Sequence, residues 1–183
     1  SSSHDSGDDI SLSEDNDPES ISFNSDGTKM FVLGGDNDTV YQYSMTAWDL
    51  STASYDSKSL DASSEGTSMR SLYISPDGTK VYLLEQASDA VYQYTMSTPW
   101  DISTASYDSK SCNVSSEQSV PFSLTLKSDG TKLYIGGSVA PEVSEYSLST
   151  PWDISTASFD SKTLSPTQIS VAQGLFWKPD GCG

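Results

Sequence analysis

The sequence predicts an all-β protein, a β-propeller of four-stranded antiparallel blades with a repeat of about 51–52 residues. Three recurrences predict it. A turn motif stands at Ser25-Asp26-Gly27-Thr28-Lys29, returns at Ser75-Pro76-Asp77-Gly78-Thr79-Lys80 and Ser128-Asp129-Gly130-Thr131-Lys132, and begins again at Pro179-Asp180-Gly181. Its glycines lie 51, 52 and 51 residues apart. A Trp-Asp pair recurs at Trp48, Trp100 and Trp152, spaced 52 and 52. A third motif, Tyr55-Asp56-Ser57-Lys58, returns at Tyr107 to Lys110 and Phe159 to Lys162. Self-similarity at a fixed period is the signature of stacked supersecondary units, and a unit of four short antiparallel strands is a propeller blade.

Each unit reads as strands A to D. In strand A, Ile21 and Phe23 point one way and Ser22 the other; the copies are Leu72/Ile74, Leu124/Leu126 and Leu175/Trp177. That period of two belongs to a strand with distinct faces. The Asp-Gly turn follows, with Pro76 presetting φ and Gly78 able to take the left-handed conformation of a tight hairpin. Strand B covers Met30 to Leu33, Val81 to Leu84 and Leu133 to Ile135. Strand C covers Val40 to Met45, Val91 to Met96 and Val143 to Leu148. Strand D surrounds Tyr55, Tyr107 and Phe159. The single helical hint is Thr98-Pro99-Trp100 and its copy Thr150-Pro151-Trp152, where a capping hydroxyl precedes a first-turn proline. The tryptophans, with Tyr43, Tyr94 and Tyr146, hold the same place in every unit. That favours packing between blades over stacking on a sugar.

These motifs divide the chain into a strand D and link of a preceding blade (1–19), blades at 20–60, 61–112 and 113–164, and the first strand of a further blade (165–183). Three blades cannot close a ring of the usual four to eight. The polypeptide is therefore expected to continue, or other subunits to cover the two open blade faces.

A net charge of −17, from 9 Lys+Arg against 26 Asp+Glu, argues against nucleic acid and anionic membrane surfaces as partners. No apolar stretch reaches membrane-helix length. Cys112 and Cys182 occupy non-equivalent positions and imply no disulfide framework. Cys112 stands where other units have Leu60 and Leu164, and reads as a small packing residue. His4 is the sole histidine, so no His/Cys metal set exists. No nucleophile elbow, glycine-rich phosphate loop or cofactor motif is present. The acidic runs Asp15-Asn16-Asp17 and Asp36-Asn37-Asp38 lack the spacing of a calcium loop and read as Asx-type turns. Asn37 and Asn113 head glycosylation sequons, relevant in a secretory host. Along strand A, the residues expected nearest the channel are Asn24, Ser75 and Lys127 at one position and Ser22, Tyr73 and Thr125 at another. None is an acid, so no catalytic residue is expected.

The A–B turns and C–D loops are nearly identical between units, whereas the B–C loops and D–A links differ. Those two variable sets share one face of a propeller, and binding residues concentrate on loops held by a rigid scaffold. The binding candidates are Asp36, Asn37, Asp38, Glu85, Gln86, Asp89 and Glu142. Drift in unconstrained loops explains the same variation and stays open as the alternative.

The turn with its following strand (Pro76 to Tyr82), Val91 to Tyr94, and Ser97 to Ser111 resemble the surface-protein propeller repeats called YVTN-type and, more distantly, WD40 repeats. They are most similar to the longer propeller repeats of marine bacterial and phage proteins. The resemblance implies a propeller at an extracellular, cell-surface or virion location and carries no catalytic motif. The expectation is a non-catalytic scaffold binding a protein or glycan partner. Structural subunits of a filament, virion or surface layer come second, and a propeller hydrolase third.

Overall fold

The computed structural model describes residues 13–139, 143–165, 167 and 171–176. Among these residues, twelve strands form three four-stranded antiparallel sheets. β1 (Pro18–Phe23), β2 (Lys29–Gly34), β3 (Thr39–Thr46) and β4 (Asp49–Asp61) make the first. β5 (Met69–Ile74), β6 (Lys80–Glu85), β7 (Ala90–Met96) and β8 (Ala105–Asn113) make the second. β9 (Pro121–Leu126), β10 (Lys132–Gly137), β11 (Val143–Leu148) and β12 (Ala157–Leu164) make the third. Strands A to D follow in order within each sheet, as in propeller blades, and the three blades leave the ring open. The expected strand D before Ser13 lies outside the described residues. Residues 171–176 form no strand, although Ala172 is tied to β9 and β10.

Strand alternation gives each blade two apolar faces. Phe31, Leu33 and Val40 of blade one meet Leu72, Val81, Leu83 and Tyr94 of blade two. Tyr82, Leu84 and Val91 then meet Leu124, Leu133, Ile135 and Tyr146 of blade three. Cys112 packs at the margin of this second core, and burial pushes its thiol up to about 11. Tyr43, Tyr94 and Tyr146 end in hydroxyls that donate to Glu14, Glu65 and Glu117 at 2.7, 2.7 and 3.0 Å. A buried phenol keeps a partner in this way.

The turn glycines and the tryptophans recur together because they touch. Gly27, Gly78 and Gly130 have φ of 70°, 70° and 72°, and a Cβ on any of them would lie within 2.4 Å of the Trp48, Trp100 or Trp152 ring. The tryptophan backbone N–H donates to the same glycine's carbonyl, at 2.9 Å in blade two. Glycine serves both the left-handed turn and the close approach of the indole.

A second lock joins blades at their outer edges. Gln42 donates to Asp56 of its own blade at 2.7 Å and accepts the Ile102 N–H of the next at 2.9 Å. Gln93 repeats this with Asp108 and Ile154. Lys58 reaches Asp101 at 2.6 Å and Lys110 reaches Asp153 at 2.7 Å. Asp101 and Asp153 also cap one-turn 3₁₀ helices, Ile102–Thr104 and Ile154–Thr156. The helical turn thus starts after Trp-Asp and is capped by the aspartate, not by the threonine before the proline. Blade one has no such turn; Leu50, in the place of the fully buried Ile102 and Ile154, is half exposed.

Candidate active site along the inner strands

β1, β5 and β9 lie side by side and present a groove. At the end where these strands begin it widens into a cleft of about 530 Å³, lined by Glu19, Arg70, Ser71, Leu124 and Gln173 among others. Three hydroxyls brace its wall. Ser20 Oγ accepts the Leu72 N–H at 3.1 Å and Ser71 Oγ accepts the Leu124 N–H at 3.2 Å. Ser123 Oγ donates to the Ala172 carbonyl at 2.9 Å.

Glu19, Arg70, Phe122 and Gln173 hold one repeat position, 51, 52 and 51 residues apart. Arg70 is the sole arginine of the chain. Its Nη1 donates to the Glu19 carboxylate, and its Nε donates to Gln86 Oε1 at 3.3 Å. Gln86 Nε2 in turn donates to the Pro121 carbonyl at 3.2 Å, so one polar chain spans all three blades. The Arg70 and Glu19 side chains keep 31% and 19% of their surface exposed, enough to meet a ligand in the cleft. In a chain of net charge −17, this guanidinium is a local cation facing an otherwise acidic field.

The residues expected to bind fall in several environments. Asp36 and Asn37 are exposed on their loop, Asn37 Nδ2 donating to Asp15 at 3.4 Å. Asp38 is buried at φ 49°, and its Oδ1 accepts the Met69 N–H at 2.8 Å. Glu85 is 1% exposed and accepts the N–H groups of Ala87 and Ser88, at 3.1 and 2.5 Å. Asp89 also has φ 49°, but its Oδ1 is buried without a partner among the described residues. Burial and the nearby Glu85 carboxylate hold its carboxyl above the usual range. Asn113 Nδ2 donates to the Ser88 carbonyl at 2.9 Å. Glu142 lies outside the described residues. Of the candidates, Gln86 is the one tied to the Glu19–Arg70 pair.

Part of the loop variation is a compensated exchange. A Cβ on Gly34 would strike Asp15, and one on Gly137 would strike Gln118; in blade two the side chain is Glu85 and the glycine is Gly66, whose Cβ would strike Glu85. One polar side chain occupies the same place in each blade, reached from strand B in one and from the D–A link in the other two. A linear comparison of loops registers this as variability.

Glu19 and Arg70 escape a sequence reading because the apolar alternation legible in strand A starts only at Ile21 and its equivalents. The inner strands start three residues earlier, at Pro18 and its equivalents, and bring an acid and a base into the groove. The available signal was Arg70 itself, the one arginine at a position occupied by different residues in the other units. Among the described residues, no group of three His, Cys, Asp or Glu side chains is placed to hold a metal ion.

No protein-family model and no curated protein sequence matches the chain. Solved structures do. A candidate 6-phosphogluconolactonase from Bacteroides fragilis superposes with a TM-score of 0.60 at 16% identity, over 81% of this chain and 40% of that one. A second, from Bacteroides uniformis, gives 0.57 at 15%, over 78% and 39%. A functionally unknown protein from Desulfotomaculum acetoxidans gives 0.59 at 10%, over 94% and 62%. The chain thus spans about two fifths of the length of the first two. At such identities the likeness establishes the fold. It also corrects the expectation of a non-catalytic scaffold and of a chain that is not an enzyme: candidate lactonases are built on this fold, and the inner strands set an acid beside a base, Glu19 and Arg70. What the comparisons establish about this chain is a propeller-type fold.

Proposed function

We propose that the chain is the part of a propeller hydrolase that carries its catalytic groups, acting on a small lactone or related ester. The observation that supports this reading is the Glu19–Arg70 pair in the inner-strand cleft, and the likeness to candidate lactonases agrees with it. Glu19 serves as general base toward a water molecule, whose oxygen attacks the ester carbonyl. The carbonyl π-electrons move onto oxygen, and the Arg70 guanidinium faces the resulting oxyanion. Collapse breaks the acyl C–O bond, and the proton held by Glu19 passes to the leaving alkoxide. Lactone and water become hydroxy acid with no external reactant. Gln86, bonded to Arg70 Nε and to the Pro121 carbonyl, is a positioning residue. The turn and strand motifs favour placing these repeats with the YVTN-type propellers.

The test is hydrolysis of δ-lactones by the native polypeptide, followed by proton release. Turnover is expected, falling at least about 100-fold in Glu19→Gln and in Arg70→Ala. An inert native protein across a lactone and ester panel, or variants with unchanged rates, would overturn the proposal.

A further inference from the structure

The other end of the groove differs in character. It is a cleft of about 710 Å³ whose lining includes Trp48, Trp100, Ile74 and Pro76, with no Asp, Glu, Lys or Arg among the described residues that line it. In a chain with 35 such charged residues, an uncharged cleft selects against ions. Ser22, Tyr73 and Thr125 line it from one repeat position of three adjacent inner strands. None of these hydroxyls has a hydrogen-bond partner among the described residues. Thr125 is only 6% exposed, so its hydroxyl has the cleft to turn to. The Tyr73 phenol, like any tyrosine, is a neutral donor near pH 7, and burial pushes its pKa up further, to about 12.

We infer that this cleft binds a neutral sugar ring, its apolar face against the indoles, of which Trp48 is 64% exposed and not packed between blades as its repeat position predicts, and its hydroxyls paired with Ser22, Tyr73 and Thr125. A purely apolar ligand would leave three polar groups unpaired on desolvation. A phosphate, a carboxylate or a metal ion would find no countercharge among the described lining residues. A pyranose has the matching combination of C–H face and hydroxyl rim. This site goes beyond the hydrolase proposal and does not rest on it.

The experiment is a titration of the native polypeptide with methyl β-D-glucopyranoside, methyl β-D-galactopyranoside and maltose, read by tryptophan fluorescence and calorimetry. Saturable binding of at least one sugar is expected. Ser22→Ala, Tyr73→Phe and Thr125→Val should each weaken it about 3- to 10-fold, the worth of one neutral hydrogen bond. Arg70→Ala, which slows lactone hydrolysis at least about 100-fold on the reading above, should leave sugar affinity unchanged. Failure to bind any of the three sugars, or full affinity in all three hydroxyl variants, overturns the inference. Far-UV circular dichroism identifies a variant that fails to fold, and the remaining variants then decide.

Discussion

Asp89 and Pro121 form a defective copy of a tie that is intact elsewhere. Between blades one and two, Asp38 Oδ1 accepts the Met69 N–H at 2.8 Å. One repeat later the same places hold Asp89 and Pro121, 51 and 52 residues on. Proline has no N–H to donate, and Asp89 Oδ1 is buried without a partner among the described residues. Replacing Pro121 by methionine, the residue already accommodated at the equivalent place, should restore the tie. A hydrogen bond to a charged acceptor contributes about 1.5–3 kcal/mol. Loss of proline's constraint on the unfolded chain offsets about 0.4–1 kcal/mol of that, and repacking around the longer side chain shifts the total further. A double-mutant cycle removes both complications. Stability is measured by urea unfolding for the native polypeptide, Pro121→Met, Asp89→Ala and the double variant. A favourable coupling of about 1–2 kcal/mol between the backbone N–H gained in Pro121→Met and the Asp89 carboxyl is expected; coupling within about 0.3 kcal/mol of zero would refute the reasoning.

The same carboxyl makes stability depend on pH. Its folded pKa lies above its unfolded value, so the folded state holds the proton more tightly, and stability should decline as pH rises from about 3.9 through the folded pKa. Urea midpoints across that range should show this decline reduced in Asp89→Asn. Gly78→Ala places a Cβ at φ 70° within 2.3 Å of the Trp100 ring. It should cost at least about 2 kcal/mol by chemical denaturation and perturb tryptophan emission; a silent substitution would count against the turn–indole lock. Gln93→Leu removes the side chain that joins Asp108 to Ile154 across the outer seam. It should cost about 1–3 kcal/mol in thermal unfolding; Gln86→Leu, which gives up the hydrogen bonds to Arg70 and to the Pro121 carbonyl at a half-buried position, should cost about 0.5–1.5 kcal/mol.

Legibility divided along a physical line. The period, the four strands per unit, the left-handed glycine turns and the packing role of the core tyrosines were readable from sequence, because each depends on short-range alternation or on the conformational demand of a single residue. Repetition multiplied those weak local signals. The site was not readable in the same way. Glu19 and Arg70 are 51 residues apart and meet because adjacent inner strands run side by side, while an early strand boundary decided whether they counted as channel residues at all. Glu85 looked like a free loop acid, yet it fills the space that Asp15 and Gln118 fill from the opposite direction in the neighbouring blades. Among the described residues Asp89 Oδ1 has no partner, for want of one N–H on the next blade's inner strand. Sequence alone determined the blade, since its strands and turns are local. Only tertiary structure decided which side chains share a cleft, since that depends on the stacking of one blade against the next.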